Sequence, residues 1–124
     1  MDEGLTIAEV AARTGLTAYT LRYYERAGLL EPPVRGGNGH RRYGSRDLDR
    51  IGLMTRLRAT GMSISDMRRY AELIGVGDAS ASARRALLVA HRERVVARIA
   101  QLGEDLALID YKIAVYEKIE EGLS

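Results

Sequence analysis

Tyr19, Arg22, Tyr23 and Arg26 stand in an i, i+3, i+4, i+7 relation within the stretch YTLRYYERAGLL. On a helix, steps of about 100° place these four side chains on one face and leave Leu21 and Tyr24 opposite. Arginine forks onto phosphate oxygens or a guanine edge, and tyrosine offers ring surface to sugars or thymine methyls with a hydroxyl for a phosphate. The chemistry open to this face is polyanion recognition. A plainer reading fits the same residues, with two solvated arginines and two tyrosines covering a core, and this helix alone leaves both readings open.

Charge distribution bears on the choice. The formal charge of the 124-residue chain is only +2, but residues 1–61 hold ten Arg and seven acids, whereas residues 62–124 hold nine basic residues and ten acids. The excess is densest at Arg22, Arg26, Arg35, Arg41, Arg42 and Arg46, with Glu25 and Glu31 as the only acids in that interval. Such clustering is the electrostatic footprint of a phosphate-binding face.

Other chemistries are poorly served. The chain has no cysteine, which removes disulfides, thiolate metal sites and thiol-based sensing. His40 and His91 are far apart, no HExxH spacing occurs, and no nucleophile–base set or phosphate loop is present, so neither a metal, a cofactor nor an enzyme activity is expected. No apolar run reaches the roughly 18 residues of a membrane span. The acidic N-terminus MDEGLTIAEV has no signal-peptide core after it, and a cytoplasmic location is the expectation.

The elements that must position the basic face follow in quick succession. Thr6 and Glu9 form a capping-box pattern opening a helix over Ile7 to Arg13, which Gly15 closes. Thr17 caps a second helix over Ala18 to Ala27 with Gly28 as its stop, and the two together have helix-turn-helix spacing. VRGGNGHRRY then reads as a β-hairpin with a Gly36-Gly37-Asn38-Gly39 tip and basic arms. A third helix is expected after Ser45 to about Ala59, with Leu48, Ile51, Met54 and Leu57 inward. A fourth begins at a second capping box, Ser63 to Asp66, with Ile64, Met67, Ala71 and Ile74 inward and Gly75-Val-Gly77 as a loop.

From about Ser80 to Ile119 the pattern is one long helix without proline. Leu88, Val95, Leu102, Ile109 and Tyr116 repeat every seven residues with Ile99, Leu106 and Ile113 between them, which is the three–four alternation of a coiled coil. Forty residues at about 1.5 Å each make a rod of roughly 60 Å, more than a small head could cover. Its stripe needs a second copy, most simply in a two-fold dimer. A parallel pairing would bring Asp105 toward Asp110 of the partner copy, but the flanking charges do not settle the orientation. The expected organisation is a helix-turn-helix head over 1–75, a linker over 76–80, a coiled-coil dimerisation helix over 81–119 and a tail over 120–124.

The segments TIAEVAARTGLTAYTLRYYERAGLL, HRRY, DLDRIGLM and GMSISDMRRY, in this order before a terminal coiled-coil helix, resemble the MerR family of transcription regulators across nearly the whole chain. The resemblance implies a mainly α fold: a winged helix-turn-helix head, a second helix-turn-helix and a long C-terminal antiparallel coiled-coil dimerisation helix. It implies recognition-helix contacts from Thr17, Tyr19, Thr20, Arg22, Tyr23 and Arg26, an anchoring and phosphate role for Tyr24, and a wing contact from Arg41, Arg42 and Tyr43. Ser63 and Ser65 at the start of the fourth helix add phosphate contacts or act as ordinary caps. The dimer interface falls on Leu88, Val95, Ile99, Leu102, Leu106, Ile109, Ile113 and Tyr116.

Family members bind pseudo-palindromic promoter elements as homodimers and bend and untwist the duplex, which affects RNA polymerase indirectly. Departures are also legible. The cysteines with which many members sense metals are missing, and only five residues follow Ile119, so no separate effector domain is expected. Two readings of regulation stay open: a small-molecule effector to which Tyr70, Tyr111 and Tyr116 contribute, or control without an effector. The alternative function is an effector-independent architectural or excisionase-like DNA-binding protein, and a coiled-coil adaptor would leave the basic face unused. His91 is expected at a surface or interface.

Overall fold

The computed structural model describes residues 4–31, 34–35 and 41–123. In chain order these form α1 (Ile7–Thr14), α2 (Ala18–Arg26), β1 (Val34–Arg35), β2 (Arg41–Arg42), α3 (Ser45–Ala59), α4 (Ile64–Val76), a 3-10 turn (Asp78–Ser80) and α5 (Ala81–Leu123). The chain divides into two compact units, residues 1–87 and 88–124.

Local chemistry explains the boundaries in the first unit. Thr6 caps α1 reciprocally with Glu9: the Glu9 N–H donates to Thr6 Oγ1 at 3.2 Å, and the Thr6 N–H donates to Glu9 Oε1 at 3.1 Å. These bonds hold the Glu9 carboxyl below its ordinary pKa, the backbone bond from Thr6 being the largest cause. Gly15, at φ 75°, ends the helix in the left-handed conformation that glycine adopts without a Cβ clash.

β1 and β2 pair antiparallel, Val34 opposite Arg42 and Arg35 opposite Arg41, as the basic arms of a hairpin should. The glycine-rich tip proposed for residues 36–39 lies outside the described residues. Three boundaries differ from the sequence expectation. Ser45 is the first helical residue of α3, not its cap; Gly44 is the cap, and its N–H donates to Asp47 Oδ2 at 2.8 Å. α4 continues through Gly75 and Val76 and turns only at Gly77, φ 93°. The expected linker over 76–80 is thus the last residue of α4, one turn-forming glycine and the 3-10 turn.

The core of this unit is Val10, Leu21, Tyr24, Leu29, Leu30, Tyr43, Ile51, Met54, Leu57, Met62, Met67, Tyr70, Ala71 and Leu73. Leu48, Ile64 and Ile74, expected inward, are only half-buried. At the turn after α4, the Ser80 hydroxyl donates to the Leu73 carbonyl and, at 2.8 Å, to that of Gly77, while Arg84 Nε donates back to Ser80 Oγ at 3.0 Å. A buried hydroxyl is satisfied by this arrangement, and it fixes where α5 begins.

α5 is one uninterrupted helix of 43 residues, and residues 120–123, expected as a tail, belong to it. Within residues 88–124, Leu88 and Val95 are half-buried, while Ile99, Leu102, Leu106, Ile109, Ile113 and Tyr116 are each at least half exposed. His91 is buried, at 5% exposure, so the surface half of the surface-or-interface expectation does not hold. No described helix is long and apolar enough to cross a membrane.

Candidate nucleic-acid interface

α2 is built to present one face. Thr17 caps it, accepting from the Thr20 N–H at 3.0 Å and donating to Thr20 Oγ1 at 3.0 Å, so both hydroxyls are engaged in the cap. Leu21 is fully buried and Tyr24 nearly so, which anchors the helix, whereas Tyr19 is 74% exposed and Arg22, Tyr23 and Arg26 are also exposed. The adjacent tyrosines therefore divide their work, with ring centroids 6.1 Å apart and planes inclined by 51°. The face inferred from helical angle is the face left open.

The C-terminal end of α2 is held by another element as well as by its own chain. At its C-terminus Leu29 N–H donates to Tyr24 O at 2.9 Å and, from α4, Arg68 Nε donates to Ala27 O at 3.1 Å. That side chain satisfies a carbonyl beyond the last helical bond and puts a positive charge where the helix dipole is negative. The sequence does not single out Arg68; its partner lies 41 residues away, and no local pattern encodes such a pairing.

The wing residues fare differently from one another. Arg42 is half-buried, with Nε enclosed, and its charge helps to hold Glu9 ionised. The backbone of Arg41 is in β2, and its side chain lies outside the described residues. Tyr43 is 2% exposed and its hydroxyl donates to Glu25 Oε1 at 2.6 Å, so its side chain belongs to the interior of the head and not to an outward contact. Tyr24, at 6% exposure, likewise serves as an anchor before anything else. In the sequence Glu25 shows only as an acid among arginines. That isolation was the available signal.

At α4, Ser63 is exposed and accepts from the Asp66 N–H at 3.0 Å, making it a helix cap; Ser65 is exposed in the first turn. Of the tyrosines considered for an effector, Tyr70 is buried in the core of the first unit, while Tyr111 and Tyr116 are exposed on the second. Among the described residues no group of three metal-ligating side chains comes together.

Comparison with known families decides the assignment. Residues 5–73 match the MerR HTH family regulatory protein domain, and residues 48–110 match the MerR DNA-binding region. The chain belongs to the MerR family. It is 39% identical over 113 residues to an HTH-type transcriptional regulator of Haemophilus influenzae, covering 91% of this chain and 84% of that protein. To the regulator AdhR of Bacillus subtilis it is 40% identical over 92 residues, 74% of this chain and 66% of AdhR.

Among solved structures it resembles HiNmlR, a MerR family regulator lacking the sensor domain, bound to promoter DNA. The TM-score is 0.83 at 39% identity, covering 91% of this chain and 90% of that one. A MerR family regulator from Listeria monocytogenes gives a TM-score of 0.86 at 36% identity, over 92% and 86% of the two chains. The mainly helical fold with a DNA-binding head and a long C-terminal helix is thus that of the family, and this MerR-type chain is a transcriptional regulator rather than an enzyme. The regulators among its relatives do not favour the architectural or excisionase-like alternative.

Proposed function

We propose that two copies of this chain pair through α5 as an antiparallel coiled coil and read a pseudo-palindromic promoter element, one head per half-site. Tyr19, Arg22, Tyr23 and Arg26 enter the major groove, Thr17 and Thr20 shape the entry to that helix, and Arg41, Arg42 and Ser65 contact backbone. The observation that carries this reading is the division of α2, with Leu21 and Tyr24 buried and the basic-aromatic face exposed. It is supported by the likeness to HiNmlR on promoter DNA.

Bending and untwisting a duplex costs about 1–6 kcal/mol. Phosphate contacts made in duplicate by a dimer are the means of offsetting it, and the complex is correspondingly salt-sensitive. Action on RNA polymerase is through the shape of the promoter, in the cytoplasm where the chromosome lies, without a cofactor.

The test is a gel-shift and in vitro transcription assay on the DNA upstream of the chain's own gene. Wild type is expected to form a dimeric, salt-sensitive complex on an inverted repeat and to change transcript yield. Tyr23→Ala is expected to weaken binding by about tenfold or more, the loss of roughly 1–3 kcal/mol that a specific contact carries. Equal binding by both proteins would falsify the placement of α2 in the groove.

A further inference from the structure

Separate segments of the head meet at Tyr43. Its backbone exchanges two bonds with Leu5: Leu5 N–H donates to Tyr43 O at 2.7 Å, and Tyr43 N–H donates to Leu5 O at 2.8 Å. Gly4, at φ +79°, lies so close that a Cβ there would come within 2.7 Å of the same Tyr43 oxygen. The residue directly follows β2 and directly precedes Gly44, the cap of α3. Its buried hydroxyl crosses to Glu25 on α2, 18 residues earlier in the chain.

Glu25 is the single acid of α2, between Arg22 and Arg26. On a helix that approaches phosphates, a carboxylate opposes binding unless it does something else. Here it is half-buried and accepts a short O–H bond from Tyr43, the charge-assisted kind that holds geometry most firmly. The wing needs such a tie, because β1 and β2 form a two-stranded sheet, and an isolated two-stranded hairpin is marginally stable at best.

We propose that Glu25 and Tyr43 are a positioning pair that sets the wing in register with α2, so that wing arginines and recognition face reach one duplex together. This rests on the DNA-binding reading above. Neither residue touches DNA; both act through Arg41 and Arg42.

The test measures the affinity of the full-length dimer for its inverted repeat across a salt series, for wild type, Tyr43→Phe, Glu25→Ala, Glu25→Gln and the double substitution Arg41→Ala with Arg42→Ala. Each phosphate contact contributes about 0.9 to the slope of log affinity against log salt, so losing the wing pair in both subunits lowers the slope by up to about 4. Tyr43→Phe and Glu25→Ala are expected to lower it toward that value and to weaken binding by about tenfold at 0.15 M salt. Added to the wing substitutions they cause little further loss, the non-additivity of residues that act through one another. Glu25→Gln, which keeps an acceptor for the hydroxyl, restores binding to within about threefold.

A merely structural role would lower the melting temperature while leaving the slope of the folded protein unchanged, and that result overturns the proposal. So does tighter binding by Glu25→Ala, the outcome expected from charge removal alone. If Tyr43→Phe fails to fold, the two Glu25 variants carry the test. Failure of wild type to bind removes the DNA-binding reading and this proposal with it; normal wild-type binding with unaltered slopes removes only this proposal.

Discussion

α2 and α5 are both amphipathic helices, yet they resolve their apolar faces in opposite ways. The nine residues of α2 are completed by their own chain: Leu21 and Tyr24 are buried, Thr17 caps one end and Arg68 satisfies the other. The 43 residues of α5 carry a longer apolar stripe of which Ile99 to Tyr116 stay at least half exposed. A single protomer leaves that surface in water, at a cost of about 25 cal/mol for each Å² that a partner could bury. Helix length and patterning thus say less about where a helix belongs than about how many chains are needed to finish it.

The sharpest way to break this contrast is a charge in the stripe of α5. Leu106→Asp is expected to raise the dimer dissociation constant by about a thousandfold or more. Two buried leucines worth roughly 1.5–3 kcal/mol each are lost, and two uncompensated carboxylates are added. Sedimentation at micromolar concentration should find a monomer; an unchanged dimer would remove α5 as the interface. Leu21→Ala attacks the other kind of helix, and urea unfolding should show the head losing about 2–5 kcal/mol, as a fully buried leucine does. The variant's α5 is untouched, so cross-linking should still capture paired chains.

A smaller effect belongs to the caps. Thr17→Ala removes the acceptor for the Thr20 N–H and is expected to cost about 1 kcal/mol in the same unfolding assay. The smallest is a pH effect at α1. Because the carboxyl of Glu9 is lower in pKa when folded than when unfolded, its contribution is present above the unfolded value. That contribution fades as acid titrates the group through the folded value. Thermal melts of Glu9→Gln should therefore match wild type in acid and fall slightly below it at neutral pH; a constant difference across pH would assign the effect to packing.

Features read correctly from sequence were those set by neighbours in the chain. The caps at Thr6, Thr17 and Ser63, the glycine stop at Gly15 and the two faces of α2 all follow from residues within one or two turns. Features that depend on distant partners were not legible. The reach of Arg68 to Ala27 and the bond from Tyr43 to Glu25 join residues 41 and 18 positions apart, and His91 gives no local sign of its burial. Gly75 shows the limit of local rules from the other side. As a helix breaker it predicts a loop, at a cost near 1 kcal/mol, but burial of Leu73 and Ala71 in the same helix outweighs that preference.

The exposed stripe of α5 also has a genetic consequence. If α5 pairs the chains as proposed, a copy with a ruined α2 but an intact long helix is expected to enter mixed pairs, each with a single competent head. With equal amounts of both copies and random pairing, only about a quarter of the dimers carry two sound heads. Under the pairing proposed for α5, head mutations are expected to interfere with a co-expressed normal copy, whereas mutations that stop α5 from pairing are expected to leave it undisturbed.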